Sequence, residues 1–273
     1  MSAQADTTDA TDPTGPTSPA GGAHPARSSA SAAVLRSEAR LFCREPAALF
    51  WIIAFPSLLL TVLGLIPSFR EADETLGGRR VIDLYVPVAV LLSVIVAGAQ
   101  TMPGVLTGYR ERGILRRLST TPAGPTSLLT AQIVLHGAAI LLSVLLAVTV
   151  GRTAFDVGLP KHLAGYVLAI VLTVLAGLAL GATVSALSRT ANIAQTIGLV
   201  VFFPMMFTAG VYVPVQAMPD LLRGIVELTP FGAASQALGQ AAAGDWPSWT
   251  HLGVTGLWAA LLIGAAVRWF RWE

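Results

Sequence analysis

The chain has 273 residues, of which 54 % are hydrophobic and only 12 % are charged, with a net charge of +2. Soluble domains carry about 25 % charged residues, so this composition predicts a membrane protein with several spans and excludes an ordinary soluble enzyme. No basic patch is interleaved with aromatic residues, which argues against nucleic-acid binding, and the single cysteine, Cys43, excludes an internal disulfide.

The composition of residues 1–30 predicts a disordered cytoplasmic tail, because no large apolar residue follows Met1. It lacks the apolar core of a secretory signal peptide. Residues 31–45 predict an amphipathic helix in the plane of the membrane interface. Its apolar side carries Val34, Leu35, Leu41 and Phe42, and its basic side carries Arg36, Arg40 and Arg44. The alternative is a positively charged flank of the first span.

Six stretches without Asp, Glu, Lys or Arg predict membrane-spanning helices, since about 20 helical residues cross a bilayer. They cover about 47–66, 84–106, 126–150, 163–187, 193–213 and 251–267. The expected fold class is therefore an all-α polytopic membrane protein with six transmembrane helices. Lys and Arg divide eleven to six between the two sides, which predicts that both termini are cytoplasmic.

A charged island, residues 108–122, separates the second and third spans. On a helical wheel its apolar residues share one face: Ile114, Leu115 and Leu118. The opposite face carries Arg112 and Arg116. Glu111 falls beside the apolar face, where a lone carboxylate invites a basic side chain or another protein. The alternative is an ordinary loop whose arginines only set the orientation.

Residues 214–244, between the fifth and sixth spans, are too apolar for a free loop and too interrupted by proline and glycine for a seventh span. They predict an outer re-entrant hairpin in which Arg223 and Glu227 pair four residues apart. Pro230 and Phe231 follow this pair. The alternative is a helix on the extracellular surface.

The sequence contains no protease signature and no phosphate-binding P-loop. It therefore predicts no catalytic residue, no metal ligand and no cofactor in this chain. The spans hold no carboxylate, which argues against a proton-driven carrier. For Gln100, His136 and Gln195 we expect hydrogen bonds between helices, and a substrate path is the alternative.

The island residues Arg110-Glu111-Arg112-Gly113-Ile114-Leu115-Arg116-Arg117-Leu118, followed by Thr121-Pro122, resemble those of the permease subunits of ABC type-2 transporters. Three weaker matches accompany them: Arg44-Glu45-Pro46, Pro230-Phe231 and the closing Phe270-Arg271-Trp272. The resemblance covers about residues 31–273 and is particularly to the actinobacterial drug-resistance exporters of the daunorubicin type. Ile114 stands where that family often has threonine.

The resemblance implies a bacterial plasma-membrane protein that forms a homodimer, or pairs with a sister permease, and binds two copies of a separate ATPase subunit. ATP and Mg would be bound by that partner. Arg110 to Leu118 would form the coupling helix, the N-terminal helix would be its interfacial neighbour, and the hairpin would help to close the exit. The cargo would be a small amphipathic drug or antibiotic. Export of a polysaccharide or lipid, and a membrane assembly protein that transports nothing, are the alternatives.

Overall fold

The computed structural model describes residues 27–76, 78–121 and 124–269. Its helices are α1 (Arg27–Phe42), α2 (Pro46–Gly64), α3 (Val81–Glu111), α4 (Ile114–Leu118), α5 (Gly124–Phe155), α6 (Leu163–Leu187), α7 (Ala191–Thr208), α8 (Asp220–Val226), α9 (Pro230–Ala243) and α10 (Trp249–Trp269). Two short strands, β1 (Ala72–Asp73) and β2 (Arg79–Arg80), pair antiparallel between α2 and α3. Single 3₁₀ turns occur at Pro67–Arg70, Glu74–Leu76 and Val215–Ala217.

Six helices are long and apolar enough to span a membrane, namely α2, α3, α5, α6, α7 and α10. This confirms the predicted all-α polytopic architecture. Helices α3 and α5 end at Glu111 and Phe155, about five residues beyond the predicted spans. The prediction followed only the uncharged stretches, and a helix can continue into charged residues. Helix α7 instead stops at Thr208, short of the predicted 213, and the left-handed Gly210 (φ +86°) follows it.

Helix α3 is the most buried of the six spans and forms the centre of the bundle. Its backbone lies directly against that of α6, since a Cβ placed on Gly98 would collide with the carbonyl of Gly177. Similarly, a Cβ on Gly181 would lie only 2.6 Å from the carbonyl oxygen of Gly98. The glycines of the fourth span therefore serve packing within the subunit, as small residues do where membrane helices approach closely.

Two of the spans contain a widened π-helical turn, at Phe50–Ala54 and at Val96–Thr101. In each case a proline follows two residues later, Pro56 or Pro103. Proline has no N–H to donate, so one carbonyl of the preceding turn loses its helical partner. In α3 the carbonyl of Ala99, which belongs to this turn, lies against Gly198 of α7.

The segment predicted as a re-entrant hairpin folds into α8 and α9. The pairing of Arg223 with Glu227 is confirmed, at 3.7 Å. Helix α9 is packed against α6 and α10 through a buried face that includes Phe231 and Leu238, so it is not a surface helix. The indole Nε1 of Trp258 donates to the carbonyl of Leu228, at 2.9 Å.

The N-terminal helix begins and ends earlier than predicted, covering Arg27–Phe42 rather than 31–45. Arg36 and Arg40 are exposed as expected, whereas Arg44 follows the end of the helix, just before Pro46 starts α2. The tail over residues 1–26 and the closing Phe270-Arg271-Trp272 lie outside the described residues.

The close approach of α3 and α6 predicts that Gly98→Ala destabilises the protein, because the added methyl group meets a backbone carbonyl that cannot move aside. Such overpacking costs about 1–3 kcal/mol or more. The matched control is Gly137→Ala on α5, where a Cβ meets nothing within 4 Å and where alanine favours the helix. The measurement is the melting temperature of each purified variant in detergent. If Gly98→Ala melted at the same temperature as Gly137→Ala and the wild type, the close packing of α3 and α6 would be contradicted.

Candidate functional site

The last turn of α3 holds three other helices through three consecutive residues, Tyr109, Arg110 and Glu111. Successive residues on an α-helix point about 100° apart, so neighbouring side chains leave the helix in different directions. Here each direction meets a different element: α1, the end of α6 and the start of α7. We call these three residues the α3 clamp.

Tyr109 reaches α1 through a buried carboxylate. Its hydroxyl donates to Oε2 of Glu38, at 2.8 Å, and the amide Nε2 of Gln132 on α5 donates to the same oxygen, at 2.7 Å. The side chain of Glu38 is only 7 % exposed. A buried carboxylate is costly to desolvate unless donors meet it, and hydrogen bonds to an ionised acceptor are strong. Glu38 therefore fixes α1 to both helices that flank the island.

Arg110 binds the end of α6. Its Nη1 donates to the carbonyl of Ser185, at 3.0 Å, and to that of Ser188, at 2.8 Å. The last carbonyls of a helix have no partner within the helix and carry a partial negative charge, so a guanidinium there is favourable. The side chain of Arg110 thus caps the fourth span.

Glu111 binds the start of α7. Its Oε1 accepts a hydrogen bond from the backbone N–H of Ala191, at 3.0 Å, and the first N–H groups of a helix favour a carboxylate. Thr190 also caps this helix, because its hydroxyl accepts from the N–H of Ile193, at 3.2 Å. The partner that the sequence left open for Glu111 is therefore a backbone amide of the same chain.

The prediction of one continuous helix from Arg110 to Leu118 is wrong. Arg110 and Glu111 belong to α3, and the left-handed Gly113 (φ +68°) separates them from α4. Glycine adopts this conformation without the steric penalty that other residues meet. Glu111 consequently does not lie beside the apolar face that Ile114, Leu115 and Leu118 were expected to share with it.

Helix α4 keeps the predicted division between an apolar and a basic face. Leu115 is buried, Ile114 and Leu118 are half-buried, and Arg116 and Arg117 are exposed. Arg112, which precedes Gly113, is exposed as well. The exposed guanidinium groups leave the island with a strongly basic surface directly after the α3 clamp.

The three polar residues considered for a substrate path lie in different environments. His136 is fully buried, with one ring nitrogen 2.9 Å from the carbonyl of Gln132 and the other 3.1 Å from the hydroxyl of Thr101. Gln100 is half-buried, whereas Gln195 is exposed on α7. Among the described residues, no hydrogen bond joins the side chain of Gln195 to Gln100 or His136. The hydrogen bonds of His136 agree with the expected bonding between helices.

Sequence reasoning missed Glu38, although a signal for it was present. Glu38 lies three or four residues from Leu35, Val34, Leu41 and Phe42, and so falls on the apolar side of its helix. A carboxylate in that place requires a donor from a neighbouring element. The donors are Tyr109 and Gln132, more than 70 residues away in sequence, and no local pattern identifies them.

Comparison with known families supplies an independent finding. A family described as "ABC-2 type transporter" matches residues 30–241, well over half of the chain. This region contains the α3 clamp and the island, and almost all of α1 and α9. No curated protein matches the chain.

We predict that Glu38→Ala lowers the stability of the folded protein, because the substitution leaves the Tyr109 hydroxyl and the Gln132 amide without their shared acceptor. A buried unpaired donor costs about 1–3 kcal/mol. We expect the melting temperature in detergent to fall by about 4 °C or more.

Glu45→Ala is the matched control for this variant, since Glu45 is an exposed carboxylate just after the same helix, and it should melt like the wild type. Adding Tyr109→Phe to Glu38→Ala should then cost less than adding it to the wild type, because the two residues act as a pair. Additive losses would contradict the contact.

Proposed function

Because this chain belongs to the ABC-2 type transporter family, we propose that it is the permease subunit of an ATP-driven exporter of hydrophobic or amphipathic drugs or antibiotics. ATP hydrolysis is performed by a separate ATPase subunit. The observation that carries the mechanism is the α3 clamp, because it joins an exposed basic surface to helices on several sides of the bundle.

The island is the docking element for the ATPase. Its arginines Arg112, Arg116 and Arg117 are exposed, while Leu115 anchors α4 to the bundle. A surface of this kind suits a groove with acidic residues on the partner, since complementary charge guides and orients association. Two ATPase copies would serve two permease copies. Helix α7 supports a homodimer, because only Ala194 and Gly198 of its residues are buried within one subunit.

Movement of the docked island is transmitted through the α3 clamp. Nucleotide binding shifts the partner between two states, and only a difference in contacts between those states can drive the permease. A displacement of the last turn of α3 pulls Glu38 on α1, the last carbonyls of α6 and the first amide of α7. One displacement therefore reaches three other helices together.

The protein lies in the plasma membrane with both termini, α1 and the island in the cytoplasm. The eleven-to-six division of Lys and Arg supports this orientation. Helices α8 and α9 then enter the outer half of the membrane. The contact of Leu228 with Trp258 supports this depth, because Trp258 is nine residues into α10, or about 14 Å along its axis.

The cargo is apolar or amphipathic because the middle of the described spans offers polar but uncharged groups. Asp83, Arg110 and Glu111 lie at the ends of α3, and Arg152 lies near the end of α5. A charged cargo would lose its hydration without gaining a counter-charge there. The resemblance to the daunorubicin-type exporters supports the drug class.

We predict that Glu111→Ala separates assembly from transport. The variant loses a hydrogen bond at an exposed site, so folding and membrane insertion should be retained. Without the bond, the first turn of α7 is no longer linked to Glu111, and export should fall to background together with substrate stimulation of the ATPase. Drug accumulation in cells and ATPase turnover in vesicles measure the two effects.

Two variants serve as controls for this experiment. Arg116→Glu reverses a charge on the docking surface and should reduce co-purification of the ATPase. Glu71→Ala removes an exposed carboxylate from the opposite end of the bundle and should change neither property. Wild-type export by Glu111→Ala at equal expression would remove the clamp from the mechanism, while export without any associated ATPase would refute the permease function itself.

Cysteine labelling tests the orientation and the hairpin. In a Cys43→Ala background, cysteines at Asp220 and Asp245 should both react with an impermeant thiol reagent added outside the cell. A cysteine at Ser119 in the island should react only after the membrane is opened. All three positions are exposed. Reaction of only one hairpin position from outside would mean that the segment crosses the membrane.

A further inference from the structure

A cavity of about 510 Å³ lies at the opposite end of the bundle from the island. The start of α3, the end of α5, the start of α6 and the end of α9 surround it. Apolar side chains form part of its wall, including Leu84, Val86, Val148 and Leu159, and charged side chains form another part. A cavity of this size accommodates a ligand of several hundred daltons or the head of a larger amphiphile.

The wall of this cavity is fixed by Arg80. Its guanidinium donates to the carboxylate of Asp83, at 2.6 Å and 3.0 Å, and to the backbone carbonyls of Phe155 and Asp156, both at 3.1 Å. These bonds tie the start of α3 to the end of α5, and the bond to Asp83 raises the pKa of Arg80. The cavity is therefore preformed and does not have to be built by its ligand.

The charged residues that line the cavity include more cations than carboxylates. Arg80 and Asp83 form an ion pair, which leaves two cations, Arg79 and Lys161, and one carboxylate, Asp245. All three are exposed, and none forms an ion pair with another described residue. The cavity thus offers an excess of one positive charge to a ligand.

Tyr166 provides an unused polar group in the same wall. The residue is 3 % exposed, and its hydroxyl is buried without a hydrogen-bond partner among the described residues. A buried hydroxyl without a partner is unfavourable. An oxygen of a bound ligand would supply the missing partner.

The position of the cavity identifies the ligand. Asp245 is followed directly by Trp246, whose ring lies 5.1 Å from that of His162 and 5.7 Å from that of Trp249. Exposed tryptophans of this kind mark the level of the lipid headgroups. A ligand at that level presents a phosphate towards cations and an apolar tail towards the membrane.

We infer that this cavity binds an anionic phospholipid, with the headgroup phosphate at Arg79 and Lys161 and the start of the acyl chains on the apolar wall. The site does not involve the α3 clamp or the island. It therefore stands whether or not the proposed export function is correct.

Native mass spectrometry of the delipidated full-length permease, titrated with phosphatidylglycerol, tests the inference. Arg79→Ala combined with Lys161→Ala should weaken phosphatidylglycerol binding by about tenfold or more, since charged hydrogen bonds are lost. Asp245→Asn should tighten it, because a repelling charge is removed. The control Arg152→Ala removes a cation from the same end of the bundle, one that pairs with Asp156 and does not line the cavity, and should leave the affinity unchanged.

Two further ligands distinguish the source of the phosphate. Phosphatidylcholine, whose headgroup has no net charge, should bind more weakly than phosphatidylglycerol. Glycerol 3-phosphate should bind at least tenfold more weakly, because it has no chain to contact the apolar wall; equal binding would overturn the lipid assignment. Unchanged phosphatidylglycerol affinity in the double variant, or an equal loss in the Arg152 control, would overturn the site.

Discussion

The contact between the backbones of α3 and α6 is the constraint on which the rest of the bundle depends. Because Gly98, Gly177 and Gly181 carry no side chains, the two helices approach until carbonyl oxygens of each lie against the other. In a membrane, where apolar side chains gain little by leaving lipid, such close packing is a main source of attraction between helices. It makes α3 the axis around which α5, α7 and α9 are placed.

The irregular turn in α3 meets a second constraint, that backbone carbonyls within the membrane should not face lipid. A regular helix with a proline at position 103 leaves a carbonyl without a donor, and in lipid such a group is costly. In this protein the widened turn at Val96–Thr101 precedes the proline, and the carbonyl of Ala99 in this turn faces Gly198 of α7 rather than lipid. The departure from helical geometry thus lies where another backbone covers it.

The fold class and the number of spans could be predicted from the sequence because both follow from composition and length, which are local properties. The division of α4 into an apolar and a basic face was also accessible, since it repeats with the helical period. The contacts of Glu38 and Arg110 were not accessible, because their partners lie more than 70 residues away. The break at Gly113 was missed because glycine is tolerated within helices as well as at their ends, and only tertiary packing decides between them.

In the mechanism proposed above, the left-handed Gly113 (φ +68°) separates the residues that dock the ATPase from those that transmit its movement. The α3 clamp, which contacts the other helices of the bundle, ends at Glu111, and α4 begins at Ile114. Because a glycine joins the two parts without a continuous helix between them, side chains of α4 can be exchanged without altering the register of the last turn of α3. Under the proposed docking, the permease can be adapted to a different ATPase by replacing residues 112–118, and chimeras should be cut after Glu111 rather than at the edges of the apolar spans.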